Sequence, residues 1–330
     1  MAETIESKKN IPLDWSDLKA KESNVLLEQN DRVQKMAKVV FCLLASAAAF
    51  GVAAAICFTL APAFAVVFAI GSAALAALGI AVGLNCIADR LPKSLRKTVH
   101  LVHAIVTETF ALLLVGLLYP LQGFFQKKIT PAASDERPIL LIHGYLHNST
   151  AWIYMMDELK KAGFKSVYTI SLWHPFRSIP EYAALVQEKA KKIVEETGQK
   201  NLIFIGHSMG GLVASEAALT ITGEDVNVTD VVTLGSPLKG TPLAKIGLGA
   251  NARQMQLDSA FSQDLSARIL KNEKNIRFFE AASSLDEIVP GKYALLGQKG
   301  RQLLLNDLGH IGMLFSPKVA HWIVNSLSIE

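Results

Sequence analysis

Residues 201–214 read N-L-I-F-I-G-H-S-M-G-G-L-V-A. The apolar run 202–205 is of the kind that fills a parallel sheet, and Leu212, Val213 and Ala214 resume apolar character after two glycines, as a helix packed on that sheet would. Between them lies Gly206-His207-Ser208-Met209-Gly210, a G-x-S-x-G whose glycines let the backbone turn sharply enough to hold Ser208 in a strained, exposed conformation. A serine so placed can pass its proton to a neighbouring histidine and attack a carbonyl carbon, while the Met209 amide at the helix N-terminus faces the developing oxyanion. Five-residue patterns with three fixed positions recur by chance, and it is the strand before and the helix after that give this one meaning. Such a site needs a second oxyanion donor upstream, and an acid and a histidine downstream.

The flanking segments alternate as a parallel α/β fold requires. Residues 139–142 form a second buried strand, ending in His143-Gly144-Tyr145-Leu146-His147-Asn148, and a helix is expected over 149–162. A strand at 166–173, a helix at 180–197 and a strand at 228–235 follow, which predicts a parallel sheet with helices on both faces. Residues 237–274 hold two glycine-bearing loops and a helix near 259–270, an insertion expected to form part of a substrate rim. A strand at 276–281 leads into Ser283-Ser284-Leu285-Asp286-Glu287-Ile288-Val289-Pro290, where Asp286 is placed to reach a histidine. Glu287 is its rival, although adjacent residues usually point apart. After a last strand at 302–305, His310 sits on a glycine-flanked loop before a helix at 317–327, whereas His321 lies inside that helix as a structural residue. The chain order is Ser208, Asp286, His310.

Three stretches together resemble one family. Leu141-Ile142-His143-Gly144-Tyr145, then Gly206-His207-Ser208-Met209-Gly210-Gly211, then Thr233-Leu234-Gly235-Ser236-Pro237-Leu238-Lys239-Gly240-Thr241, are similar to the oxyanion, nucleophile and post-elbow motifs of bacterial α/β-hydrolase lipases and esterases. The D-x-I-V-P form at Asp286 resembles the acid loop of the same family. The likeness covers residues 138–330. It implies a small α/β-hydrolase of about six mostly parallel strands, lacking the first two strands of the full fold, in which the Tyr145 amide completes an oxyanion hole opposite that of Met209. His143, Gly144, Gly206, His207 and Gly210 are then motif support, the two histidines packing and hydrogen-bonding around the elbow. Ser215 departs from the arginine that relatives often carry after Gly-Leu-Val-Ala.

The N-terminal part is of another kind. Residues 1–35 are polar and of mixed charge, a tail. Residues 39–88 then contain no Asp, Glu, Lys or Arg over 50 positions, and at about 1.5 Å per residue a helix of that length spans a hydrocarbon core of about 30 Å roughly twice. A break at Leu60-Ala61-Pro62 gives helices of about 36–60 and 63–87, close-packed through small residues such as Gly71, Ala74, Gly79 and Gly83. Arg32, Lys35 and Lys38 precede the hairpin and Arg90, Lys93, Arg96 and Lys97 follow it, so the positive-inside rule puts both flanks in the cytoplasm. A third apolar segment, about 101–125, carries His100, His103 and Thr107 on one helical face, with Glu108 beside them. That pattern suits a helix lying on or re-entering a membrane surface; the alternative is a third crossing, which would take Glu108 into the bilayer and put the catalytic domain on the opposite side, and no chemistry is assigned to the polar face. The membrane domain is thus 36–129, the linker 130–137 and the catalytic domain 138–330. Lys127 and Lys128 favour the cytoplasmic face of an integral, inner-membrane protein.

Composition agrees with this division: 51% of residues are hydrophobic and 19% charged, with mean hydropathy +0.30. Cys42, Cys57 and Cys86 all lie in the apolar half, so neither a disulfide framework nor a metal-ligand cluster is expected, and no cofactor is. No basic face interleaved with aromatics points to nucleic acid, despite a net charge of +4. The expected activity is ester hydrolysis on a membrane lipid: a phospholipid, lysophospholipid or acylglycerol. Acyl transfer to an alcohol on the same fold, or an inactive membrane-anchored interaction protein, are the alternatives. Oligomeric state is left open.

Overall fold

The computed structural model describes residues 40, 44, 46–48, 62–122, 136–223, 225–297 and 301–328. The expected tail, most of the first hairpin helix and most of the linker lie outside these residues. The chain divides into two compact units, residues 1–90 and 91–330. In the first, helix α1 (Pro62–Ile87) carries no charged side chain. The second opens with α2 (Lys93–Leu118), the one described helix long and apolar enough to cross a membrane by length and composition.

Six strands follow: β1 (Ile139–Ile142), β2 (Val167–Ile170), β3 (Asn201–His207), β4 (Asn227–Leu234), β5 (Arg277–Ser283) and β6 (Gln302–Leu305). They form one sheet in the order β2-β1-β3-β4-β5-β6, every pairing parallel. Parallel neighbours need crossovers, and helices supply them: α3 (Ile153–Lys161), α4 (Ile179–Thr197), α5 (Met209–Thr220), then α6 (Gly249–Gln254) with α7 (Ala260–Lys271), and α8 (Gly291–Ala294). Helix α9 (Pro317–Leu327) ends the fold. This is the expected α/β-hydrolase architecture with six parallel strands.

Both faces of the sheet are covered, so its strands read as apolar runs without polar alternation. Leu140, Ile142, Leu202 and Phe204 point into one core with α4, α5 and α7. Their neighbours Ile139, Leu141, Ile203 and Ile205 point into the other, with α3 and α9. At the opposite end of the strands from the glycine turn, Asp230 of β4 is fully buried and held by Arg137 and by Arg277 Nε, the latter at 2.6 Å. A carboxylate so enclosed is tolerable only because both oxygens face guanidinium groups.

The strand order also fixes where a site can form. From β1 the chain moves outward to β2, then crosses back to β3 on the other side, so the loops leaving β1 and β3 diverge and open a crevice at the carboxyl ends of those strands. The His143-Gly144-Tyr145 loop and Ser208 stand on its two sides.

Candidate active site

Ser208 is the residue between β3 and α5, with φ 56° and ψ −127°. Backbone in this region costs a β-carbon-bearing residue about 1–3 kcal/mol and persists only where the surroundings hold it. Here the Ser208 N–H donates to the Leu234 carbonyl at 2.9 Å, tying the turn to β4. The flanking glycines are required by close approach: a β-carbon on Gly206 would lie 2.3 Å from the Gly210 carbonyl oxygen, and one on Gly210 would lie 2.1 Å from that of Ile142. Any side chain at either position would push α5 off the sheet.

Asp286, three residues beyond β5, is buried. Its Oδ1 accepts the amides of Ile288 at 2.9 Å and Val289 at 2.7 Å, and its Oδ2 faces His310 Nδ1 at 2.7 Å. An ionised carboxylate only accepts, so Nδ1 of His310 carries the proton and Nε2 keeps its lone pair for another partner. Glu287 is exposed and takes no part in this pair. Ser208, His310, His207, Gly144 and Tyr145 line one cavity of about 570 Å³. The structure thus brings Ser208 and His310 to one cavity and Asp286 to His310, from the loops that follow β3, β5 and β6.

The loop expected to carry an oxyanion donor is held by a histidine. His143 Nδ1 donates to the Gly144 carbonyl at 2.8 Å, and its Nε2 accepts the Leu172 amide at 2.8 Å. Because carbonyl and N–H of one peptide point in opposite directions, fixing the Gly144 carbonyl also fixes the direction of the Tyr145 N–H. A β-carbon on Gly144 would lie 2.9 Å from that of Ser208, so the loop presses directly on the nucleophile turn. Met209 is the first residue of α5, where helix amides have no partner within the helix. The Tyr145 hydroxyl donates to the Leu248 carbonyl at 2.9 Å and accepts its amide at 3.1 Å, pinning the 242–249 segment over the cavity.

His207, next to the nucleophile, donates from Nε2 to the His310 carbonyl at 3.1 Å, their rings 4.6 Å apart. Burial, and then the charge on His310, hold the His207 imidazole well below the ordinary range. Burial likewise takes His143 down to about 4, and burial with the His310 charge takes His147 to about 4. Near neutral pH these three rings are uncharged.

Sequence reasoning missed Glu108. Its carboxylate, on α2, accepts the amides of Ile311 and Gly312, both at 2.8 Å, at the start of the turn that follows His310. Five residues earlier on the same helix, His103 Nδ1 donates to the Asp307 carbonyl at 2.7 Å. The signal was a single carboxylate in an apolar segment, which needs a partner wherever it is buried.

Comparison with known proteins agrees with this architecture. Residues 139–323, more than half of the chain, match the model of the Alpha/beta hydrolase family. The chain is 29% identical over 108 residues to Lysosomal thioesterase PPT2-B of Xenopus laevis, a match spanning 32% of this chain and 37% of that relative. The chain therefore spans well under half the length of the curated relative it matches. Among solved structures, the mature form of lipase BlEst2 of Bacillus licheniformis is similar with TM-score 0.50 and 19% identity, over 60% of this chain and 93% of the other. Phospholipase PlaB of Legionella pneumophila is similar with TM-score 0.51 and 13% identity, over 59% of each chain. At such identities the structural likeness shows the fold. The family match runs from the first residue of β1 into α9 and takes in the nucleophile turn, the acid loop and His310, and the chain belongs to the alpha/beta hydrolase family.

Proposed function

We propose that the chain is a membrane-anchored serine hydrolase that cleaves carboxylic esters through Ser208, His310 and Asp286. His310 Nε2 takes the Ser208 proton as Oγ attacks the acyl carbonyl carbon. The Tyr145 and Met209 amides hold the resulting oxyanion, and Asp286 stabilises the imidazolium through Nδ1. Collapse breaks the bond to the leaving alcohol, which departs with the proton held by His310, and leaves an acyl ester on Ser208. Water repeats the sequence: its proton goes to His310, its oxygen bonds the acyl carbon, and breaking the Ser208 ester releases the carboxylic acid and returns the proton to Oγ.

The observation that carries this is the 2.7 Å contact of His310 with Asp286, in a cavity that also holds a serine at φ 56°. The substrate class in this reading is a lipid ester, by two supports: apolar side chains dominate the cavity wall, and the charge-free run 39–88 is long and apolar enough to favour a membrane location. In this reading 36–60 and 63–87 cross a bacterial inner membrane, and residues 138–330 work at its cytoplasmic face. Acyl thioesters form a second substrate class, favoured by the 29% identity with a protein named a thioesterase. A fluorophosphonate probe should label the full chain, and Ser208→Ala should abolish labelling. Absence of labelling in the folded wild-type chain sinks the proposal.

A further inference from the structure

Helix α2 is inside out for a water-soluble surface helix. Its polar side chains His103, Thr107 and Glu108 turn toward the hydrolase unit, where His103 and Glu108 hold the Asp307–Gly312 backbone. Its other side is mostly aliphatic, with Ile105, Leu112, Leu113 and Leu117 52%, 51%, 63% and 69% exposed, and the two exposed threonines there, Thr98 and Thr109, bond their hydroxyls to the helix's own carbonyls. Only 22% of its most apolar 18-residue stretch is buried, so it is no core helix. A soluble protein places these two faces the other way round.

The aliphatic face does not end with the helix. Leu112 lines the cavity that contains Ser208, together with Leu146 and Leu243, themselves 55% and 44% exposed. Leu243 continues into Ile246 and Leu248, 80% and 66% exposed, which line an adjoining cavity that also reaches Ser208. An apolar surface of this extent, centred on a cavity mouth, marks a binding face. Charge indicates what it meets. Residues 90–107 hold Arg90, Lys93, Arg96 and Lys97 and no acidic residue, and residues 231–257 hold Lys239, Lys245 and Arg253 and no acidic residue. Aliphatic groups bordered by cations of one sign fit a bilayer with anionic headgroups.

We propose that the aliphatic side of α2 and the 243–248 loop lie in the plane of an anionic bilayer surface, so that the cavity holding Ser208 opens onto lipid and an acyl chain enters without crossing water. This deepens the hydrolase reading and rests on it for the identity of the substrate. The helix cannot both cross the bilayer and keep its grip on the hydrolase: Glu108 and His103 lie near its middle, and their partners are backbone groups of the catalytic unit. Its long axis therefore runs along the surface.

The test uses the full chain with Cys42, Cys57 and Cys86 replaced by serine, carrying one environment-sensitive fluorophore at Ile105→Cys, Leu113→Cys or Ile246→Cys, in vesicles of phosphatidylcholine and phosphatidylglycerol. Lipids bearing nitroxide quenchers at stepped depths report the position of each label. All three labels are expected at one shallow depth near the headgroup boundary. A helix crossing the bilayer would separate positions 105 and 113 by about 12 Å of depth, and that result, or labels open to an aqueous quencher, overturns the proposal. Fluorophosphonate labelling of Ser208 in the same chains reports separately on the hydrolase, so either reading can fail alone. The double variant Leu113→Glu with Leu117→Glu should lower hydrolysis of vesicle phospholipid at least ten-fold and leave a short water-soluble ester turned over at the wild-type rate. Unchanged vesicle turnover also counts against the proposal.

Discussion

Glu108 and Ile311 meet across 203 positions of the chain, the Glu108 Oε1 accepting the Ile311 amide at 2.8 Å while Oε2 accepts that of Gly312. The turn they fix begins immediately after His310, so a side chain on α2 sets where the imidazole stands. Glu108→Ala removes two hydrogen bonds to a charged acceptor, each worth about 1.5–3 kcal/mol, and a 1 Å shift of a reacting group costs about 10²-fold. We expect kcat on a soluble ester to fall by one to two orders of magnitude with KM nearly unchanged. Gly309→Ala should behave alike, because its β-carbon would lie 2.5 Å from Glu108 Oε2. Unaltered kcat in both variants would show that the turn holds itself.

The glycine turn at Ser208, the alternation of strands and helices and the chain order of Ser208, Asp286 and His310 were legible because their signals are local: glycines at fixed spacing, apolar runs of strand length, a carboxylate soon after a strand; the order of the strands in the sheet, set by long-range pairing, was not. Glu108 was not, since its partners are two backbone amides, and an amide has no letter in the sequence. The polar stripe at His100, His103 and Thr107 was visible, but its direction was not. Read alone it suits headgroups, whereas His103 points to a carbonyl 204 positions away, in the catalytic unit. Periodicity locates a face and leaves its partner open.

Acid should destabilise the hydrolase unit through its buried histidines. His143 and His147 are held near 4, below their ordinary 6.5, by burial. For groups depressed in the folded state the unfolded chain binds more protons between the two values, so stability is complete above pH 6.5 and declines as pH falls toward 4. For His143 the full loss is about 3 kcal/mol at about 1.4 kcal/mol per unit. Urea midpoints of the detergent-solubilised chain should drop over this interval, and His147→Gln should lessen the drop. A midpoint flat from pH 7 to 4.5 would contradict the burial of these rings.

Tyr145, whose backbone amide is the proposed oxyanion donor, gives its hydroxyl to the Leu248 clamp. Tyr145→Phe leaves the backbone in place and removes both hydroxyl bonds, each worth about 1 kcal/mol. The 242–249 segment should then loosen. We expect KM for medium-chain esters to rise several-fold, with kcat for an acetyl ester within about two-fold. Equal losses on both substrates would place the effect in the oxyanion site itself.

Asp286→Asn offers the sharpest test of the acid, because the structure dictates which way the amide must face. The Ile288 and Val289 amides both donate to Oδ1, so the carbonyl oxygen of the asparagine has to stay there and its NH2 has to face His310 Nδ1. Nδ1 must then accept, which moves the imidazole proton to Nε2 and removes the lone pair that Ser208 requires. With the geometry intact and the tautomer wrong, kcat should fall by about 10⁴. Folding should be undisturbed, the downfield proton resonance of an Nδ1–H bonded to a carboxylate should vanish, and Glu287→Gln, at an exposed neighbour, should stay within two-fold of wild type. If the Glu287 variant is crippled while Asp286→Asn turns over normally, the acid belongs to the adjacent residue, and the 2.7 Å contact is a structural ion pair with no part in catalysis.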